Sequence, residues 1–209
     1  FINSKTGKTK LENYEQHPDF CNALKIIFME GMGGNIEEFV TGGAAIPDRI
    51  EQLLAIKLKT PFVTGYGMTE CAPLISVGHL GNYKLKSVGE YVKEHVSVKF
   101  DSSDPEHVAG ELLVKGDVVF SGYYKNEEAT KAAFTEDGWF HTGDLGTMDK
   151  DGTIFLVGRC KSMLLSSNGQ NIYPEEIEVI LNNMPFVAES LIACRNEKLV
   201  ALIVPDQNA

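Results

Sequence analysis

The chain has 209 residues, 43% hydrophobic and 23% charged, the composition of a globular protein able to bury a core in one or two domains. With 19 basic against 29 acidic side chains the formal net charge is -10, so most of the surface would repel a polyanion and nucleic acid is excluded as an expected partner. Cys21, Cys71, Cys160 and Cys194 lie far apart, with no Cys-x-x-Cys pair and no histidine at ligand spacing, which argues against a disulfide framework or a zinc site and favours a reducing cytoplasm.

The first residues are polar and carry no secretory signal; a start at Phe1 and an end just after a strand-like stretch suggest a piece of a longer polypeptide. Residues 36–41 read as a strand running into Gly42-Gly43. Residues 47–57, opening at Pro47 and carrying Ile50, Leu53, Leu54 and then Leu58, read as an amphipathic helix. Residues 61–64 are the next strand. Strand, glycine turn, helix and strand make the βαβ grammar of a parallel sheet, whose ligands gather at the carboxyl ends of the strands. From residue 88 to 157 the grammar changes to short runs separated by turn residues, with strands at 96–100, 111–115 and 154–157 and one helical insert at 126–134. Asp149-Lys150-Asp151-Gly152 reads as a hairpin turn, because no glutamate follows at the spacing a calcium loop requires. Beyond Arg159 come a strand-like 163–165, a Ser/Asn/Gly loop, a helix opening at Pro174 with three glutamates close behind, and a hairpin of 190–193 with 198–204. The longest apolar run, 199–205, is far short of the roughly 20 residues that span a bilayer.

The fold class expected is therefore mixed α/β: part of a parallel αβα sheet subdomain (residues 1–87), a small antiparallel, β-barrel-like subdomain (88–158), a hinge (159–163) and a partial α+β C-terminal domain (164–209).

Three strings carry the chemistry. Gly65-Tyr66-Gly67-Met68-Thr69-Glu70 offers an aromatic face, a hydroxyl and a carboxylate between glycines; His141-Thr142-Gly143-Asp144 adds a second acid; Gly158-Arg159-Cys160-Lys161 adds two cations. Together they are what a protein needs to hold an adenosine phosphate at base, phosphate, metal and ribose. Taken singly each has a plainer reading: Tyr66 as a half-buried strand-end tyrosine, Thr69 and Glu70 as a helix cap, Asp144 as a turn residue, Arg159 as a solvated side chain. Trp139 and Phe140 read as core or wall.

In this order the strings resemble the adenylate-forming superfamily of acyl-CoA synthetases, adenylation domains and luciferases. The resemblance implies activation of a carboxylate by ATP and magnesium to an acyl-AMP, then transfer to a thiol after rotation of a small C-terminal domain. By the same resemblance Tyr66 stacks on adenine, with Gly65 and Gly67 letting backbone approach the ligand. Thr69 bonds the α-phosphate, Glu70 is the magnesium-associated carboxylate, Asp144 receives the ribose hydroxyls, and Arg159 holds the nucleotide from the hinge side. Gly43, Ala44 and Ala45 match the small-residue turn of the adenylate pocket, Lys161 the hinge position, and Gly169 the loop near the pantetheine arm of coenzyme A. Ser162 departs from the acidic residue many members carry next.

The function implied is that of an AMP-forming ligase, most like the long-chain fatty-acid CoA ligases. Its small-molecule partners would be fatty acid, ATP and coenzyme A, with no transmembrane segment and at most a peripheral place at a membrane. An amino-acid adenylation domain serving a carrier protein is the rival enzyme, disfavoured by Lys161, and a non-catalytic nucleotide-binding scaffold is the rival from another class. The family's Ser/Thr/Gly-rich loop ending in Lys-Gly and its C-terminal catalytic lysine are not found, so the 209 residues alone are expected to be inactive.

Overall fold

A computed structural model describes residues 13–165, 171–195 and 198–206. Helix α1 (Pro18–Gly31) starts with Pro18 where no amide partner is needed, and buries Cys21 against Leu58. Strand β1 (Phe39–Thr41) follows, then α2 (Asp48–Glu51), which continues as a π-helical segment through Gln52–Lys57. Leu54 and Leu58 of the expected apolar face are buried, whereas Ile50 stays 43% exposed. Strand β2 (Phe62–Gly67) runs parallel to β1 in the register Phe39↔Phe62, Val40↔Val63 and Thr41↔Thr64. The loops leaving β1 and β2 therefore emerge side by side.

The sheet continues with antiparallel β3 (Leu74–Val77) and β4 (Glu90–Tyr91), in the order β1-β2-β3-β4. Glu51 is 2% exposed, and its carboxylate accepts from the Tyr83 hydroxyl and the Lys86 amide, tying α2 to the connection between β3 and β4.

The second sheet is an antiparallel meander, β5 (Val96–Asp101), β6 (Gly110–Gly116), β7 (Phe140–Met148) and β8 (Ile154–Arg159), in that order. Asp149 and Gly152 close the turn between β7 and β8, the Gly152 amide donating to the Asp149 carbonyl at 3.0 Å. Helix α3 (Glu127–Ala132) sits between β6 and β7, and Asn126 Oδ1 caps it by accepting the Ala129 amide at 3.0 Å.

The barrel-like closure expected for this unit does not occur: β5 pairs with β6 and β8 with β7, and the sheet stays open. Four strands enclose too little space for side chains as large as Phe100, Leu112 and Phe140. One face instead covers the first sheet, so Cys71 and Ile75 share a single core with Val96, Phe100, Leu112, Val114, Phe140 and Ile154. Phe120 and Phe134 pack on the buried Phe140 ring with centroids 5.5–5.7 Å apart, Phe120 edge-on to Phe140 and stacked on Phe134.

After Arg159 come the short antiparallel pair β9 (Leu164–Leu165) and β10 (Asn171–Ile172), helix α4 (Pro174–Asn182), and the hairpin β11 (Val187–Arg195) with β12 (Lys198–Pro205). Glu178 of α4 accepts the Ile192 amide at 2.7 Å and holds the hairpin to the helix.

Candidate functional site

Two glycine segments meet first. A side chain at Gly42 would place its Cβ 2.7 Å from the Gly65 carbonyl oxygen, so the turn leaving β1 lies against the backbone of β2 itself. At Gly67 the demand is stronger, because a Cβ there would lie 2.0 Å from the Pro73 carbonyl oxygen. Gly43 has φ of +84° and, with Ala44 and Ala45, lines an exposed bend beside this contact.

A single 3-10 turn, Thr69–Cys71, follows β2 and is anchored from below by Cys71, which is fully buried. Burial pushes the Cys71 thiol up to about 11. Its anchoring leaves the Thr69 side chain exposed and Glu70 half-buried. Glu70 is gripped twice by the second unit: its carbonyl accepts the Phe120 amide at 2.8 Å, and its Oε1 accepts the Tyr123 hydroxyl at 3.0 Å. Tyr123 escaped the sequence reading; its only local signal is the tyrosine pair after Gly122.

Asp144 is the centre of the arrangement. It sits on β7 directly opposite Arg159 on β8, and its side chain is only 8% exposed. Arg159 Nε donates to its Oδ1 at 3.0 Å, and the Tyr66 hydroxyl donates to its Oδ2 at 2.5 Å. Burial, then the neighbouring Asp144 charge, drives the Tyr66 phenol far above the usual tyrosine range, so it stays a donor. The Arg159 side chain is 67% exposed, so the pair contributes little to stability but leaves a cation facing solvent beside a buried carboxylate. An ionised carboxylate has about four lone-pair sites. Two are used here, and the rest can receive a diol.

Lys161 is exposed in the tight turn after β8, where the amides of Ser162 and Met163 both donate to the Arg159 carbonyl at 3.1 Å. Gly169 lies outside the described residues. The structure thus joins Tyr66, Asp144 and Arg159 by direct hydrogen bonds, sets the glycine segments against one another, and presents Lys161 apart from that network.

Among the described residues no group of three or more His, Cys, Asp or Glu side chains converges on a cation position. Magnesium, however, is commonly held by one or two carboxylates together with substrate phosphates. A single braced carboxylate at Glu70 fits that mode.

The chain belongs to the AMP-binding enzyme family, which it matches over residues 5–124. Among curated relatives, the long-chain-fatty-acid CoA ligase FadD15 of Mycobacterium bovis is 35% identical over 179 residues, covering 85% of this chain and 28% of that protein. Long-chain-fatty-acid CoA ligase 4 of Saccharomyces cerevisiae is 33% identical over 183 residues, covering 85% of this chain and 26% of the relative. The chain therefore spans less than a third of the length of either. Among solved structures, ATP-bound MatB from Rhodopseudomonas palustris superposes with a TM-score of 0.71 at 31% identity, over 84% of this chain and 37% of that one. The o-succinylbenzoate CoA synthetase MenE from Bacillus subtilis, in complex with its acyl-adenylate intermediate, superposes at 0.73 with 27% identity, over 87% of this chain and 40% of that one.

Proposed function

We propose that this chain is the nucleotide-holding part of an AMP-forming acyl-CoA ligase acting on fatty acids of long chain. The observation that carries the reading is the convergence of Tyr66, Asp144 and Arg159, from three separate strands, into one network beside the glycine segments. Its support beyond geometry is that relatives matching most of the chain are named long-chain-fatty-acid CoA ligases.

In the first half-reaction a fatty carboxylate oxygen attacks the α-phosphorus of ATP and diphosphate departs. Asp144 would accept the ribose hydroxyls, Arg159 would close the nucleotide from the side of β8, and the Tyr66 ring would lie along adenine while its hydroxyl keeps Asp144 in place. Thr69 offers its exposed hydroxyl to the α-phosphate. Glu70, braced by Tyr123, would hold magnesium, which when bound neutralises charge gathering on the phosphates. In the second half-reaction the thiolate of coenzyme A attacks the acyl carbon and AMP leaves. The exposed turn around Lys161 would be the pivot between the two, with Gly169 leaving room for the pantetheine arm. Four unpaired cysteines support a reducing compartment, the cytoplasm. Among the described residues no helix is long and apolar enough to cross a membrane.

The test uses the complete product of the gene, because the chain spans under a third of these relatives. Offered a panel of carboxylates, it is expected to release AMP and diphosphate in a coenzyme A-dependent manner, fastest with long acyl chains. Release of ADP, or indifference to coenzyme A, would defeat the assignment. The 209 residues by themselves are expected to form no acyl-AMP.

A further inference from the structure

Asp144 owes its aim to a local defect in the second sheet. Between the pairs Glu111↔Leu145 and Leu113↔His141, one residue of β6, Leu112, faces three of β7: Thr142, Gly143 and Asp144. Two extra residues in β7 make a bulge, which bends the strand and re-aims a side chain while leaving backbone groups without ladder partners. Four of the backbone groups at the bulge find partners outside the β6–β7 ladder. The Gly143 carbonyl accepts the Cys160 amide at 2.8 Å; the Thr142 hydroxyl donates to the Leu112 carbonyl at 2.7 Å and accepts the Asp144 amide at 3.1 Å. Gly143 itself has φ of +74°, the left-handed geometry the bulge demands.

The Gly143 amide donates to Glu111 Oε1 at 3.0 Å. The other oxygen of the same carboxylate lies 2.9 Å from His141 Nδ1. Glu111 thus holds the bulge at two points, 141 and 143, immediately before Asp144, with its side chain 21% exposed. A charged acceptor binds a backbone amide more tightly than a neutral one, and losing it would leave a half-buried donor unmet at the residue next to Asp144.

We infer that Glu111 is a positioning residue for nucleotide recognition, fixing the bulge so that the Asp144 carboxylate meets the vicinal hydroxyls of the ribose. The inference rests on Asp144 being the ribose acceptor, and the experiment separates the two. Calorimetric titration of the complete polypeptide with AMP and with 2′,3′-dideoxy-AMP measures how much of the affinity comes from the hydroxyls. The wild-type protein is expected to prefer AMP by about tenfold or more, as for a hydrogen-bonded pair with one charged member. Glu111→Ala is expected to bring the two nucleotides to within about twofold, by loss of AMP affinity with little change for the dideoxy compound. Glu111→Gln keeps the volume and one neutral acceptor, is expected to lose about threefold of the preference, and carries the test if the alanine variant does not fold. A general loss of fold would weaken both nucleotides alike; only a positioning role moves their ratio. An unchanged ratio in the folded Ala variant, or in Gln should Ala not fold, overturns the role of Glu111 while leaving Asp144 in place. A wild-type protein indifferent to the hydroxyls overturns the ribose assignment itself.

Discussion

The two sheets up to Arg159 and the unit beyond it are held together in different ways. In the former, side chains from both sheets fill one core, with Ile75, Leu112, Val114 and Ile154 wholly buried. In the latter, Ile192 is the buried apolar side chain of the described hairpin, while Leu191, Leu199, Leu202, Ile203 and Val204 are 45–58% exposed. Apolar burial is the main stabilising term, at about 25 cal/mol per Å². The nucleotide contacts proposed for Tyr66, Glu70 and Asp144 therefore fall on the part that shares one core, whereas Lys161 stands where that part ends. Such a contrast is what the proposed function asks for, with one substrate held on a fixed base while a smaller unit moves past it.

The contrast can be broken or sharpened by experiment, most sharply through the thiols. Cys71 and Cys21 are buried, Cys160 is intermediate at the junction, and Cys194 is exposed on β11. Timed alkylation read by peptide mass should label Cys194 at once and Cys71 at least about a thousandfold more slowly, because Cys71 needs a large opening. Equal rates would mean the shared core is not intact.

Next in size are core truncations. Phe140→Ala should cost about 3–5 kcal/mol in urea unfolding, since Phe140 is 2% exposed and touches Phe120 and Phe134. Ile203→Ala, at a residue 48% exposed, should cost about 0.5 kcal/mol or less. Comparable losses would put the hairpin in the core.

At the border itself, Arg159→Gln is expected to weaken AMP binding about tenfold in the complete polypeptide while moving stability by about 1 kcal/mol at most, its side chain being 67% exposed. An unfolded variant would make Arg159 structural instead.

The smallest effect is in pH. The Tyr66 phenol is raised by burial and by Asp144, so its contribution is complete below the ordinary tyrosine range near pH ~10. It is lost as pH climbs beyond that, because the unfolded chain gives up its phenolic proton first. Between about pH 8 and 10.5, Tyr66→Phe should therefore lose less stability than the wild type, by about 1 kcal/mol or less. Identical curves would show that Tyr66 ionises freely and does not depend on Asp144.

What could be read along the chain was what neighbours decide. Pro47, the Leu54 and Leu58 spacing and the glycines after the strands sufficed for the βαβ unit, the run 126–134 for the helical insert α3, and Pro174 for the start of α4. Strings of four to six residues were likewise enough to suggest an adenosine phosphate, because a ligand's requirements are met by local groups of fixed spacing. The partners of those strings were not legible. Tyr66 reaches Asp144 across 78 positions, and Glu70 reaches Tyr123 across 53. Nor does composition reveal that the second sheet stays open, that it shares a core with the first, or that two extra residues in β7 give Glu111 a place to hold. Propensity and periodicity act within a turn or a strand. Register, bulges and the meeting of distant side chains are chosen by how whole sheets bury their faces, and only the folded chain makes that choice.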